Sequence, residues 1–235
     1  MPIINDSNQT ESIKPPRRIL ITGANGFTGK HACTYFANDG YTVYAMVRTP
    51  IEFSHENIKL VLCDLSNREA LQTAIQTIQP QFILHLAGQN AVQESWANPI
   101  DTLQTNVLYT AYLLEAIRAE TTTKCRTIIA GSMLQSNPAE PSTFEHPYSL
   151  SKTMQSLYGE VYGNLFDLDV IIAKPTNLIG PGYSNGICSI LAKKVAKMEQ
   201  GIEKKSIVIH NLLAERDFLD VRDAITAYNI LFMKA

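Results

Sequence analysis

The run Ile19-Leu20-Ile21 passes directly into Thr22-Gly23-Ala24-Asn25-Gly26-Phe27-Thr28-Gly29, and an amphipathic stretch near 28–38 follows. No other feature restricts the fold as tightly. A short apolar strand, a turn with glycines three apart and a helix together open a parallel βαβ unit. Chemistry asks for glycine in such a turn because a dinucleotide pyrophosphate sits against bare backbone at the helix N-terminus. Unpaired N–H groups and the helix dipole there favour an anion. A Cβ at Gly26 would hold the ligand off. The spacing is G-x-x-G-x-x-G rather than G-x-G-x-x-G, so its weight comes from context, after the first strand and opening a helix. Gly23, Asn25, Gly26, Phe27, Thr28 and Gly29 are the candidate cofactor-binding residues of this loop.

The rest of the chain repeats the alternation. Apolar runs at 43–47, 60–62, 82–86, 127–130 and 170–173 are continuous rather than alternating. Strands buried on both faces of a parallel sheet read this way. Helix-like segments lie between them near 66–78, 100–119 and 148–166. The expectation is an α/β fold, a Rossmann-type doubly wound parallel sheet. Residues 1–16 are polar and end in Pro15-Pro16, which predicts a flexible tail; 17–175 form the dinucleotide-binding domain. Beyond Pro175 the texture loosens through Gly180-Pro181-Gly182 and Gly186. A helix near 187–200, a short strand near 206–210 and a last helix from about 221 make 176–235 a small substrate-binding region, with elements free to return to the first domain.

Composition excludes several classes. With 45% hydrophobic and 18% charged residues the chain is no disordered segment, and a net charge of −2 excludes an electrostatic nucleic-acid binder. No apolar run approaches the roughly 18 residues of a membrane helix. The first residues lack the apolar core of a secretion signal, so the expected location is cytoplasmic. Cys33, Cys63, Cys125 and Cys188 are scattered without His companions at ligand spacing, which predicts reduced, buried thiols and no metal.

Two positions bear on the choice of cofactor. The second strand ends in Arg48-Thr49, with no carboxylate to bond an adenosine ribose. An arginine there can fork onto the 2′-phosphate of NADP, or simply be solvated. NADP is the favoured reading and NAD the alternative. Asp64 ends the third strand and either bonds the adenine amino group or caps the helix starting at Ser66.

Five motifs in order carry a resemblance over about 200 residues: TGANGFTG; His85-Leu86-Ala87-Gly88; Tyr148-Ser149-Leu150-Ser151-Lys152; Lys174-Pro175-Thr176-Asn177 with Ile179-Gly180-Pro181-Gly182; and Arg216-Asp217-Phe218-Leu219-Asp220-Val221-Arg222-Asp223. From Ile19 to about Tyr228 the chain resembles the extended short-chain dehydrogenase/reductase family, in its nucleotide-sugar branch of epimerases, dehydratases and 4-ketoreductases. Ser95-Trp96, IGPG and RDFLDVRD are most similar to the GDP-4-dehydro-6-deoxymannose reductases. The resemblance implies cofactor contacts for Leu65, Leu86, Ala87, Gly88, Lys174, Tyr148 and Lys152. It also implies further chain that completes the substrate lobe, so that lobe is expected to be incomplete here.

Tyr148 and Lys152 lie one helical turn apart. A phenol with pKa near 10 is a poor acid–base group at neutral pH, and a neighbouring ammonium is expected to lower it. Tyr148 could then exchange a proton with a substrate oxygen. Ser132 would hydrogen-bond that oxygen, or be a turn residue. Met133 and Leu134 stand where the family's dehydratases carry acidic residues, which disfavours dehydration, and Ser136-Asn137 replaces the Tyr-Gly that usually closes this loop. By the resemblance Asn177 bonds the sugar or its phosphate and Arg216 clamps the diphosphate. Lys193 either adds positive charge there or belongs to a solvated face with Lys194 and Lys197. Gln89 either reaches the sugar or caps a turn. The expected reaction is NADPH-dependent reduction of a 4-keto-6-deoxy nucleotide sugar. The alternatives are a 4-epimerase with bound, recycled NAD and a catalytically idle dinucleotide-binding protein. The helices at 100–119 and 148–166 are expected to pair across a two-fold axis into a homodimer.

Overall fold

The computed structural model describes residues 17–203, 206–208, 213 and 215–234. Six parallel strands form one sheet: β1 (Arg18–Thr22), β2 (Thr42–Val47), β3 (Ile58–Leu62), β4 (Phe82–His85), β5 (Arg126–Ala130) and β6 (Val170–Ala173). Their order is β3-β2-β1-β4-β5-β6, the Rossmann arrangement. The chain leaves β3 and crosses to the far side of β1, so the direction of winding reverses between β1 and β4. In open α/β sheets the crevice outside the strand ends at that reversal is where ligands bind.

Successive strand residues point to opposite faces. Ile19 and Ile21 of β1 enter one core with Phe36, Val43 and Ile128, while Leu20 enters the other with Met46, Leu71, Ile75, Leu113 and Ile129. The first core is covered by α1 (Phe27–Asn38) and α8 (Val221–Met233). The second lies under α2 (Arg68–Ile78) and α5 (Tyr109–Glu120). Each fully buried Ile or Leu contributes about 1.5–3 kcal/mol. Val221, Ile225, Tyr228 and Phe232 of α8 all sit in the first core, and the Phe232 ring meets Phe36 and Phe82 edge-on at 5.9 and 5.1 Å. The last helix thus returns to the Rossmann core.

The edges of the sheet depart from the expectation of strands buried on both faces. β3 is an edge strand, and Leu60 and Leu62 are 40% and 57% exposed. β6, the other edge, is half-buried along its length. A continuous apolar run does not distinguish an edge from a centre, because that depends on which strands flank it.

The helix expected from Ser66 starts at Arg68, where the Asn67 side chain accepts from the Ala70 N–H at 3.1 Å. The segment expected as one helix over 100–119 is α4 (Pro99–Leu103), a π-helical turn at Gln104–Leu108, and α5. Three further elements are short: α3 (Val92–Ala97) and the parallel pair β7 (Asn177–Ile179) and β8 (Phe218–Asp220). The long helix α6 (Pro147–Phe166) starts on Pro147, with His146 Nδ1 accepting from the Ser149 N–H at 2.9 Å. α7 spans Ile187–Glu199. Residues 206–208 are not in a strand, and the rest of the strand expected near 206–210 lies outside the described residues, as does the expected tail over 1–16. Cys33, Cys63 and Cys125 are buried and free, but Cys188, on the exposed α7, is not buried.

Candidate active site

The residues singled out as cofactor contacts follow the carboxyl ends of successive strands: the glycine loop after β1, Arg48 after β2, Asp64 and Leu65 after β3, Leu86–Gly88 after β4 and Lys174 after β6. Gly23 has φ +65°, and a Cβ on it would come within 2.8 Å of the Ala87 nitrogen. It therefore meets both requirements for glycine, left-handed backbone and close approach of β1's loop to β4's. At Gly29 a Cβ would lie 2.2 Å from the Gly23 oxygen, so α1 can seat on the loop only without one. Gly26 is exposed, starts α1, and no side chain caps the helix. A nearly bare, uncapped helix N-terminus at the switch point fits a dinucleotide pyrophosphate.

Arg48 is exposed at its strand end. The Asp64 carboxylate accepts from the Ser66 N–H at 2.9 Å, and that contact, more than Arg48 nearby, holds its pKa below the ordinary value. Asp64 thus braces a turn, and Asn67 supplies the helix cap.

The three candidate catalytic side chains converge and are all nearly buried: Ser132 is 8% exposed, Tyr148 6% and Lys152 6%. Ser132 follows β5 in a tight turn, its Oγ accepting from the Leu134 N–H at 3.1 Å, and it lies close enough to the Tyr148 hydroxyl to favour the phenolate. Lys152 Nζ donates to the Ala130 oxygen and to Gln155 Oε1, both at 2.6 Å. The expected lowering of the Tyr148 phenol by Lys152 is not what the structure gives. Burial raises the Tyr148 pKa, Ser132 partly opposes it, and Lys152 has no resolved effect. Lys152 is itself pushed down to about 8 by burial. The cause is geometric, because Lys152 is turned to the end of β5 and to its own helix.

Tyr148 is held from the N-terminal side by a residue whose contribution sequence reading did not identify. The buried Ser95 on α3 accepts from the Tyr148 N–H at 3.1 Å while donating to the Val92 oxygen at 2.6 Å. A second is Asn106. The π-helical turn aims it inward, as such turns often do at functional sites. Its Oδ1 accepts from the Gln89 N–H at 2.8 Å, and its Nδ2 donates to the Gln89 oxygen and to Ser151 Oγ at 3.0 and 2.9 Å. Asn106 therefore straps the loop after β4 to α6. Neither residue carries a local sequence signal for these roles, since the long-range partners they hold lie 17 to 53 positions away.

The candidate substrate residues are less gathered. The Gln89 side chain closes a turn on Ala91, accepting from its N–H and donating to its oxygen. Asn177 donates to the Asp217 oxygen at 3.0 Å, tying β7 to the segment before β8. Arg216 is exposed, and its Nη1 donates to the neighbouring Glu215 oxygen at 2.9 Å. Lys193 lies over the Tyr183 ring at 5.3 Å on exposed α7. Lys174, Ser132, Met133 and Gln135 share a cleft of about 290 Å³. Among the described residues no cluster of His, Cys, Asp or Glu could hold a metal, and no helix is long and apolar enough to cross a membrane.

Comparison with known proteins gives the chain's family and fold. The NAD dependent epimerase/dehydratase family matches residues 19–234. The chain is 30% identical over 222 residues to GDP-6-deoxy-D-mannose reductase of Pseudomonas aeruginosa, covering 90% of this chain and 69% of that protein. It superposes on the structure of RMD from Pseudomonas aeruginosa complexed with NADPH at a TM-score of 0.73 and 28% identity, over 93% of this chain and 72% of that one. On the UDP-glucose 4-epimerase of Thermus thermophilus in complex with NAD the TM-score is 0.78 at 21% identity, over 93% and 75% of the two chains, a likeness of fold. The chain belongs to the NAD dependent epimerase/dehydratase family and is an NAD(P)-dependent enzyme of the extended short-chain dehydrogenase/reductase type.

Proposed function

We propose that the protein reduces a 4-keto-6-deoxy nucleotide sugar with NADPH, in the manner of a GDP-4-dehydro-6-deoxymannose reductase. The observation that carries this reading is the pairing of the buried, neighbouring Ser132 and Tyr148 with exposed Met133 and Leu134 immediately beyond Ser132. The pair can bind and protonate a carbonyl oxygen. The two apolar neighbours cannot move the protons a dehydration needs. The 30% identity to the Pseudomonas reductase supports the same choice.

In this reading the glycine loop, the α1 N-terminus and Arg48 would hold the cofactor, whose nicotinamide would supply hydride to C4 of the sugar. Ser132 donates a hydrogen bond to the C4 oxygen and orients the carbonyl. Because burial keeps Tyr148 protonated, its phenol is ready to give its proton to that oxygen as negative charge develops. Lys152, drawn to the Ala130 oxygen and to Gln155, stands where the family resemblance puts a hold on the nicotinamide ribose. Gln89, Asn177, Lys193 and Arg216 lie on the substrate side. Asn177 positions the Arg216-Asp217 segment, and Arg216 is exposed where its planar donor fork would take a diphosphate. The test is NADPH oxidation with GDP-4-dehydro-6-deoxymannose. A 4-epimerase would instead retain NAD through purification and interconvert two nucleotide sugars without net oxidation.

The homodimer belongs to the same proposal. Leu150, Met154, Leu157, Val161 and Leu165 make an exposed apolar stripe along the outer face of α6, each 40% exposed or more. Spacings of three and four residues keep it on one side of the helix, as a helix–helix seam requires.

A further inference from the structure

Behind the candidate catalytic residues runs a chain of buried polar side chains: Thr22, His85, Thr110, Gln155 and Lys152, every one 6% exposed or less. Chemistry fixes the direction of each bond. An ammonium can only donate, so Gln155 must turn its oxygen to Lys152 and its amide nitrogen to Thr110 Oγ1, 2.8 Å away. Thr110 has one proton, and the Asn106 main-chain oxygen at 2.7 Å, which can only accept, takes it. Thr110 Oγ1 must then accept from His85 Nε2 at 2.9 Å. Burial lowers the His85 pKa to about 3, so the ring is neutral and its Nδ1 accepts from Thr22 Oγ1 at 2.7 Å. Thr22 in turn accepts from the Ala87 N–H at 3.2 Å.

All donors therefore run inward and end on one carbonyl. Such an array cannot relay a proton from Lys152 to another group without reversing several bonds, so its effect is to hold position. It links the strand that carries the glycine loop to Lys152 through side chains alone. We propose that Gln155 is a positioning residue for Lys152, its side-chain oxygen anchoring the ammonium behind Tyr148 and fixing its charge state, with Thr110 and His85 holding Gln155 in that orientation.

The proposal rests on the role given to Lys152 above. Of the titratable groups around the ammonium, His85 from β4 responds to its charge, whereas Tyr148, one turn back on α6, shows no resolved effect from it. Among the described residues no carboxylate acts on it, and burial alone shifts it down. The neutral oxygens of Gln155 and Ala130 are what oppose that burial.

Two substitutions separate anchoring from packing. Gln155→Met keeps length and bulk but removes the acceptor, and Gln155→Glu replaces it with an anion. Loss of a hydrogen bond to a charged group corresponds to about one pH unit in Lys152 titration. The basic limb of the pH–activity profile should fall by about one unit in Gln155→Met and rise in Gln155→Glu. In Gln155→Met, kcat should drop about fivefold at pH 8 while KM for the keto sugar stays within about twofold. A readout free of activity is the unfolding midpoint between pH 7 and 10.5, taken relative to Lys152→Met. Since the folded Lys152 pKa lies below the unfolded value, stability rises with pH across that window. The onset of the rise should move down in Gln155→Met and up in Gln155→Glu. If the onsets move but no keto sugar is turned over, the anchoring stands and the proposed reaction fails. If neither onset nor limb moves, the inference is overturned. Should Gln155→Glu not fold, the Gln155→Met onset decides.

Discussion

The Lys152 ammonium donates to the main-chain oxygen of Ala130 at 2.6 Å, tying the first turns of α6 to the last residue of β5. Ser132 lies two residues beyond that oxygen, and Tyr148 one helical turn before that lysine. A single contact thus sets the spacing of all three candidate catalytic groups. Gly131, between Ala130 and Ser132, leaves no room for adjustment, because a Cβ there would come within 3.2 Å of the Ala173 oxygen.

The glycine loop should be intolerant in a position-specific way. In Gly29→Ala the new Cβ would lie 2.2 Å from the Gly23 oxygen, so loop or helix must move. A loss of about 3 kcal/mol or more in stability is expected, with loss of dinucleotide binding. Gly40→Ala meets nothing within 4 Å and is penalised only for its φ of +80°. About 1 kcal/mol and unchanged binding are expected there. Urea unfolding and NADPH fluorescence titration on both variants check the contrast.

His85 predicts a pH dependence. Its folded pKa, about 3, lies below the unfolded value near 6.5, so its contribution to stability is complete above pH 6.5. Between 6.5 and 3 the unfolded chain takes up a proton that the folded protein refuses, and stability falls by up to a few kcal/mol. His85→Gln can still donate to Thr110 and accept from Thr22 without titrating. The stability advantage of the wild type over His85→Gln should shrink between pH 7 and pH 4, measured by urea unfolding at each pH.

Arg48 should govern the choice of cofactor. A charge-assisted fork onto the 2′-phosphate is worth about 1.5–3 kcal/mol. Arg48→Ala is expected to weaken NADPH binding by about 10- to 100-fold and leave NADH binding within about threefold. Calorimetric titration with both cofactors reads this directly, and equal losses for the two would assign Arg48 to solvent.

The apolar stripe on α6 predicts a dimer that a charge can break. Leu157→Glu and Val161→Glu replace side chains 46% and 45% exposed, so neither should disturb the core. Light scattering at micromolar concentration should give a dimer for the wild type and a monomer for the double variant. A monomeric wild type would remove the homodimer from the proposal.

Much of this arrangement is legible in the chain itself. Ile19–Ile21 entering the glycine loop, and apolar runs alternating with helices, suffice for the doubly wound sheet, because burial on both faces leaves a local mark. Tyr148 and Lys152 are legible for the same reason, being one turn apart on one helix. What sequence reading misses is set by distant partners. Leu60 and Leu62 read as core until the strand order puts β3 at an edge. Ser95 and Asn106 acquire their roles from residues brought to them by α3 and the π-helical turn. Lys152 stands four residues from Tyr148, yet its ammonium is drawn to Ala130 and Gln155, which spacing alone does not reveal.

The most direct measurement is NADPH oxidation with GDP-4-dehydro-6-deoxymannose by the wild type and by Tyr148→Phe. The phenyl ring keeps the packing and removes the hydroxyl with its proton. The predicted result is turnover by the wild type, a fall of at least about 10³-fold in kcat for Tyr148→Phe, and NADPH binding unchanged within about threefold. Turnover by Tyr148→Phe at the wild-type rate, or none by a wild type that binds NADPH normally, would contradict the proposed reaction.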